Sequence, residues 1–322
     1  MRSSISLRPT PGDAEELMES EHVVIVASYM AVSSLLLVVN KLSIGLLPNS
    51  GIVLTLQVMV TTAISAGFSL QGPNTLSVRH LLRFFVPAIA FLSCLVANIE
   101  VLRDSNVEII IVFRSTTPLL ISLCEWLCLG RQLPSLRSWA ALSALFVFSG
   151  MYAWTDAEPS VGVYSSVAAW YFIFCFNQLY VKFVTDDVPV KSNWEAVFYM
   201  NVWAMLFLIS YEIIFDFHTI MHSRKYFNHV ETVGCVALSC AMAVLMSYLT
   251  MACRKAVSAT AFTVVGNVCK VITIVVSALI WGQHVTLFGT ASLLACLVAA
   301  TFYEQAPLRS ERNSRVGLLP KP

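Results

Sequence analysis

Charge is scarce in this sequence. Asp, Glu, Lys and Arg make up 12% of its 322 residues, about half the share usual in soluble domains, while 57% of the chain is hydrophobic. Long polar stretches are missing between residues 22 and 304, so no soluble domain fits between the apolar runs. Period-2 alternation is absent too, which excludes the strands of a membrane barrel. The six histidines, His22, His80, His218, His222, His229 and His284, fall at the ends of apolar runs or between them. A membrane-embedded enzyme would need a nucleophile, base or metal constellation inside the runs, and the sequence offers none. His218, His222 and His229 are close in sequence, yet no metal, no cofactor and no nucleic-acid partner is expected. The nine cysteines lie in or at the ends of apolar runs and read as small buried hydrophobes, without a disulfide framework.

What is present is a series of ten apolar runs, at about 22–46, 51–71, 84–102, 107–129, 138–155, 160–183, 194–216, 231–251, 258–281 and 285–304. Most approach the ~20 residues needed to cross a ~30 Å hydrocarbon core. The expectation is an all-α polytopic membrane protein of about ten transmembrane helices, a single domain over 22–304 with the lipid bilayer as its solvent. Residues 1–21 are a polar N-terminal segment, and 305–322 a basic tail expected to be disordered. The first run is too long for a cleavable signal. Asp13, Glu15, Glu16, Glu19 and Glu21 ahead of it argue against a plastid or mitochondrial transit peptide.

Ten spans put both termini on one side. If that side is the cytosol, its segments hold Arg2, Arg8, Arg79, Arg83, Arg131, Arg137, Lys182, Lys191, Arg254, Lys255, Arg309, Arg312, Arg315 and Lys321. The opposite side holds Arg103, Arg224 and Lys225, a bias of 14 to 3 in the positive-inside sense. An internal repeat is also visible. Residues 112–152 and 264–303 each read as a long helix closing on a glycine (Gly130, Gly282), a short turn, and a helix rich in small residues ending in Tyr152 or Tyr303. Two five-span units, about 22–155 and 160–304, would have opposite orientations because five is odd. Inverted repeats of this kind are a transporter architecture with a midplane site.

Three cations, Lys41, Arg114 and Lys270, lie inside the runs. Lys270 is twelve residues from Ser258, about 18 Å into the membrane, too deep to reach either surface easily. No acid sits at comparable depth, since Glu125, Glu195 and Glu212 lie near run ends. A cationic contact for an anionic substrate is the preferred reading. Phe262 and Gly266 share its helical stripe, and the glycine lets a ligand approach the backbone. Arg114, followed by the small polar run STT, is the cation more suited to join the same cavity; Lys41 can snorkel. Asn201 and Ser247 lie at similar depth on neighbouring spans, and an amide offers both donor and acceptor to a base edge. Tyr199 can stack or donate. A polar head near Asn201 and Ser247 with an anion about 8–12 Å further in has the reach of a nucleoside diphosphate.

At these residues the chain resembles a known family. FYMN (198–201) resembles the FYNN motif, and GNVCK (266–270) the GALNK motif, of Golgi GDP-mannose transporters. Those belong to the nucleotide-sugar branch of the drug/metabolite transporter superfamily. IVFRSTTPLLIS, LPSLRSW and SATAFTVVGNVCK are similar to plant and algal GDP-sugar transporters. The resemblance covers residues 25–305. It implies exchange of a nucleotide sugar for a nucleoside monophosphate across the Golgi membrane, with the endoplasmic reticulum the other candidate compartment. It leaves room for a homodimer. Asn201 and Ser247 would contact guanine. Gly266, Asn267 and Lys270 would contact sugar and phosphate, Phe262 would stand at a sugar-facing position, and Tyr29 would line the cavity. Met200 departs from the first motif, which leaves uracil open beside guanine; Cys269 departs from the second and, with Phe262, leaves a sugar other than mannose open. The rivals are a UDP-sugar carrier and a sugar-phosphate exchanger; the latter carries a Lys-Arg pair where Val271 follows Lys270 here.

Overall fold

In hydrocarbon every backbone polar group must be satisfied within its own segment, so apolar runs of this length fold as helices. The computed structural model describes residues 11–47, 49–70, 77–104, 107–154, 164–215, 217–281 and 287–309. In chain order the helices are α1 (Pro11–Leu46), α2 (Ser50–Leu70), α3 (Val78–Arg83), α4 (Phe85–Asp104), α5 (Val107–Cys128) and α6 (Leu136–Trp154). There follow α7 (Tyr164–Asp187), α8 (Asn193–Phe215), α9 (Phe217–Ser223), α10 (Val230–Ala256), α11 (Ala259–Trp281) and α12 (Leu287–Thr301). The protein is an all-α polytopic membrane protein. Among the described residues, six segments are long and apolar enough to cross a membrane: Ser20–Leu46, Ser50–Leu70, Val78–Ala97, Ser165–Asp187, Asn193–Phe215 and Val230–Ala256. Leu136–Met151 and Ala259–Ile272 are shorter apolar helical segments.

The boundaries differ from expectation in two places that matter. Helix α1 begins at Pro11 rather than near residue 22, and α10 runs on to Ala256 rather than stopping near 251. The second shift brings Arg254 into a helix. The tail is also ordered at its start. The Gln132 N–H donates to the Pro307 carbonyl at 3.0 Å, and the Arg309 N–H donates to the Gly130 carbonyl at 3.0 Å. Gly130 sits at φ +66°, a conformation glycine adopts without a Cβ penalty, and it turns the chain after α5. Gly282, its counterpart in the repeat, lies outside the described residues.

Helix packing follows a pattern of exchange. Helix α1 packs on α10 and α11, and α7 packs on α4 and α5. Likewise α2 packs on α10, as α8 does on α4, and α5 packs on α6, as α11 does on α12. The pairs α2 with α8, α5 with α11 and α6 with α12 join the two sets. The pattern is broken among the described residues where α10 also meets α7 and α8 and α11 meets α7, whereas α4 has no comparable contact with α1 or α2, nor α5 with α1.

Acids are spent at helix ends. Glu125, 3% exposed, accepts from the Ala259 N–H at 2.8 Å and the Thr260 N–H at 3.2 Å, and also from the Thr260 hydroxyl. Those are otherwise unpaired donors at the first turn of α11. Ser258 caps the same turn, accepting from the Ala261 N–H at 3.0 Å. Arg131 Nε balances the carboxylate at 3.5 Å. Glu125→Ala should strip these bonds and cost about 2 kcal/mol or more. The expected outcome is a clearly lowered thermal midpoint in detergent; an unchanged midpoint would show that this cap does not hold α11.

Candidate functional site

Helices α1, α4, α5, α7, α8, α10 and α11 surround a cavity of about 700 Å³. Its wall is mostly apolar, with Asn177, Gln178, Asn201, Ser247, Thr250 and Thr263 as neutral polar groups and Arg114, Arg254 and Lys270 as cations. Among the described residues, no Asp or Glu lines it.

The cations are ordered along α11. Phe262, Gly266 and Lys270 fall at i, i+4 and i+8, so they share one face with steps of about 6 Å. Arg254 Cζ lies 4.2 Å from the centroid of the Phe262 ring. Arg114 Nη2 lies 3.7 Å from where a Cβ on Gly266 would stand, so the glycine leaves the guanidinium room against the helix. Lys270 occupies the third step itself. Among the described residues, none of the three forms an ion pair.

Local chemistry holds Arg114 there. Pro118 lies inside α5 and lacks the N–H that would bond the carbonyl four residues back, which is that of Arg114. The Thr117 hydroxyl donates to this carbonyl at 2.6 Å, and Asn267 Nδ2 donates to it from α11 at 3.4 Å. The break in α5 thus becomes a tie between α5 and α11. The guanidinium itself rests 4.7 Å from the centroid of the Phe174 ring, and its Nε is buried without a hydrogen-bond partner. Arg254 Nη1, Asn177 Oδ1 and Trp170 Nε1 are likewise buried without partners, and all belong to the cavity wall. Four unpaired polar atoms around one space are groups for a ligand to satisfy.

Of the residues expected at the site, Tyr29, Arg114, Asn201, Ser247, Phe262, Gly266 and Lys270 converge on this cavity. Tyr29 and Phe262 touch, with ring centroids 5.3 Å apart. Asn201 donates one N–H to the Val197 carbonyl at 2.8 Å, leaving its second N–H and its Oδ1 for a ligand. Two residues are placed elsewhere. Asn267 faces α5 at the Arg114 carbonyl. Tyr199 is fully buried in a packed cluster with Phe84 and Val197, and its hydroxyl donates to Glu195 at 2.8 Å and accepts from the Ser77 N–H at 2.9 Å.

The sequence reading missed Arg254, counting it among loop charges. It is 7% exposed and inside α10. Lys182, counted the same way, is 3% exposed, donates to the Arg254 carbonyl at 2.6 Å and pairs with Asp186 at 2.9 Å. The signal for Arg254 was in the sequence, since Ser247, Thr250 and Arg254 fall at i, i+3 and i+7 on one face of the helix.

The chain is a polytopic helical bundle around a cavity whose charged lining, among the described residues, is cationic. Known proteins narrow this. The chain is 31% identical over 293 residues to "GDP-mannose transporter GONST3" of Arabidopsis thaliana, covering 88% of this chain and 78% of that protein. It is 30% identical over 310 residues to "GDP-fucose transporter 1" of the same plant, covering 91% and 90%. A "GDP-mannose transporter" of Meyerozyma guilliermondii is 19% identical, with 89% and 86% covered. The chain therefore belongs to the nucleotide-sugar transporter family, beside GDP-sugar transporters. No family model matches it. A solved crystal structure with 14% sequence identity matches at a TM-score of 0.64, covering 93% of this chain and 99% of that one, and it supports the fold alone.

The placement of Tyr199 yields a test. Tyr199→Phe should cost about 1–3 kcal/mol of stability by leaving the Ser77 N–H and Glu195 short of a partner. Nucleotide affinity, measured on the folded fraction, should stay within about twofold of wild type. A large affinity loss at unchanged stability would return Tyr199 to the site.

Proposed function

We propose that this chain is a Golgi antiporter that exchanges a cytosolic GDP-sugar for lumenal GMP, with GDP-mannose the first candidate substrate and both termini in the cytosol. The observation that carries the reading is the row of three cations along one face of α11, without an ion pair among the described residues, in a cavity that Asn201 of α8 and Ser247 of α10 also line. A phosphate-bearing ligand supplies the charge this row lacks, and the amide and hydroxyl suit a base edge. The names of the relatives support a guanine nucleotide, and their difference leaves mannose and fucose as the sugars to compare. The exchange pattern of helix packing supports two inverted five-helix units that rock around the site. Obligate exchange follows if the empty carrier, with its cations unpaired in low dielectric, reorients slowly.

Lys270 is the test residue. Lys270→Ala should lower affinity for GMP and for the GDP-sugar by about 10- to 100-fold, the value of a charge-assisted hydrogen bond. Guanosine, which has no phosphate, should be nearly indifferent. Thermal-shift titration with GMP and guanosine reads this directly, and counterflow of GDP-, UDP-, CMP- and phospho-sugars in proteoliposomes reads the substrate. Equal GMP-induced shifts in wild type and variant would refute the role of Lys270. Exchange of UDP-sugars alone would refute guanine.

A further inference from the structure

The end of the cavity where α10 stops and α11 starts carries a cation that neither motif announces. The Arg254 side chain is held from two sides. Its Nη2 donates to Gln178 Oε1 of α7 at 2.6 Å, and its Cζ lies over the Phe262 ring of α11 at 4.2 Å. Both supports are neutral. They fix the position of the guanidinium without cancelling its charge. Its Nη1 is buried and has no hydrogen-bond partner. Lys182 adds a second positive group beside its backbone carbonyl, but that ammonium has its own carboxylate in Asp186 at 2.9 Å. A buried guanidinium with an open donor and no counter-ion is costly unless an anion completes it.

Its place in the row says which anion. Arg254 stands over Phe262, Arg114 beside Gly266 and Lys270 two turns beyond Phe262, so the row extends about 12 Å along α11. One phosphoryl group can be held between two neighbouring cations, Arg114 and Lys270. A second phosphoryl group bonded to the first needs a further cation, and Arg254 is the next along. We propose that Arg254 binds the second phosphoryl group of a nucleoside diphosphate, the group that GDP and a GDP-sugar possess and GMP lacks. This rests on the nucleotide reading of the same cavity. It gives the carrier a means to tell the incoming diphosphate compound from the outgoing monophosphate. With monophosphate bound, the Arg254 donor stays unfilled.

The test is titration of the full-length purified protein in detergent with GDP and GMP. In wild type, GDP should bind at least about tenfold more tightly than GMP, and equal affinities would overturn the proposal whatever any variant does. Arg254→Gln should weaken GDP binding by about tenfold or more and leave GMP within about twofold. Arg254→Lys keeps the charge but loses the planar fork, and should restore part of the difference. The bond from Lys182 to the residue 254 carbonyl is a backbone contact that either substitution keeps. Should the Gln variant not be recovered folded, the Lys variant carries the test, with a GDP loss exceeding its GMP loss. Equal losses for GDP and GMP would assign Arg254 to the tie between α7 and α10 and overturn the proposal. If wild type prefers UDP, the guanine reading fails while UDP against UMP still decides the role of Arg254. Wild type that binds no nucleotide would overturn both readings.

Discussion

Unbalanced positive charge at the centre of an apolar bundle is the constraint around which this structure is arranged. Bringing an ion out of water into a low-dielectric interior costs several kcal/mol even after relaxation. A protein that needed only structural polar groups there would pair each cation with an acid. This one supports its two arginines with aromatic faces and an amide: Phe174 under Arg114, Phe262 under Arg254 and Gln178 on Arg254. Such partners orient a guanidinium and offset part of its desolvation, yet leave its charge whole. The neutralising group has to come from outside.

The acids complete the arrangement by being elsewhere. Glu125 caps α11, and Glu195 serves the first turn of α8, where it accepts from the Lys191 N–H at 2.8 Å while its own N–H donates to Ser192 at 3.2 Å. Asp187 pairs with Arg83 at 2.6 Å, and Glu304 with Arg137 at 2.9 Å, both at exposed helix ends. Negative charge near a helix N-terminus is favourable in its own right. Glu125 and Glu195 therefore stabilise the first turns of α11 and α8, and none of these acids lines the cavity. Pro118 contributes by a different route. The carbonyl it leaves free is the point where α5 and α11 are tied, so the helix defect fixes Arg114 against the row it joins.

Most of the fold was legible because hydropathy is a one-dimensional property. A run of about 20 apolar residues declares a helix whatever its neighbours, and the depth of Lys270 follows from counting residues along it. Direction around the helix is harder, though not hidden. Tyr199 and Asn201 are two residues apart, about 200° around the axis, so both cannot face one cavity. Asn267 is turned about 100° from Gly266, and its amide is taken by the Arg114 carbonyl of α5. A motif read as a string ignores this rotation; the helical period restores it. Arg254 fails for another reason. The apolar run stops near residue 251, but a helix continues while its backbone bonds continue, and α10 ends at Ala256. An arginine facing inward in the last turn and one in a loop look alike in composition. Its register with Ser247 and Thr250 points it inward, and its packing against Gln178 and Phe262 fixes it there.

The exchange pattern of the bundle bears on how such a site is reached from two sides. Helix contacts that are preserved when α1, α2, α4, α5 and α6 are swapped with α7, α8, α10, α11 and α12 belong to the scaffold. Contacts that are not preserved belong to a state. Here α10 meets α7 and α8, and the α7 contact includes the Lys182 and Gln178 bonds to Arg254. The mirror contacts, α4 with α1 and α2, have no equal among the described residues. Under the proposed alternating access, making the second set and breaking the first would produce the opposite state with no helix refolded. Gln178 would then lie on both functions at once. It holds a cation of the cavity and forms part of the contact that must open. On that reading a ligand drawing on Arg254 would act directly on the asymmetric contact, and binding at the row of charges would be coupled to the side from which the cavity is closed.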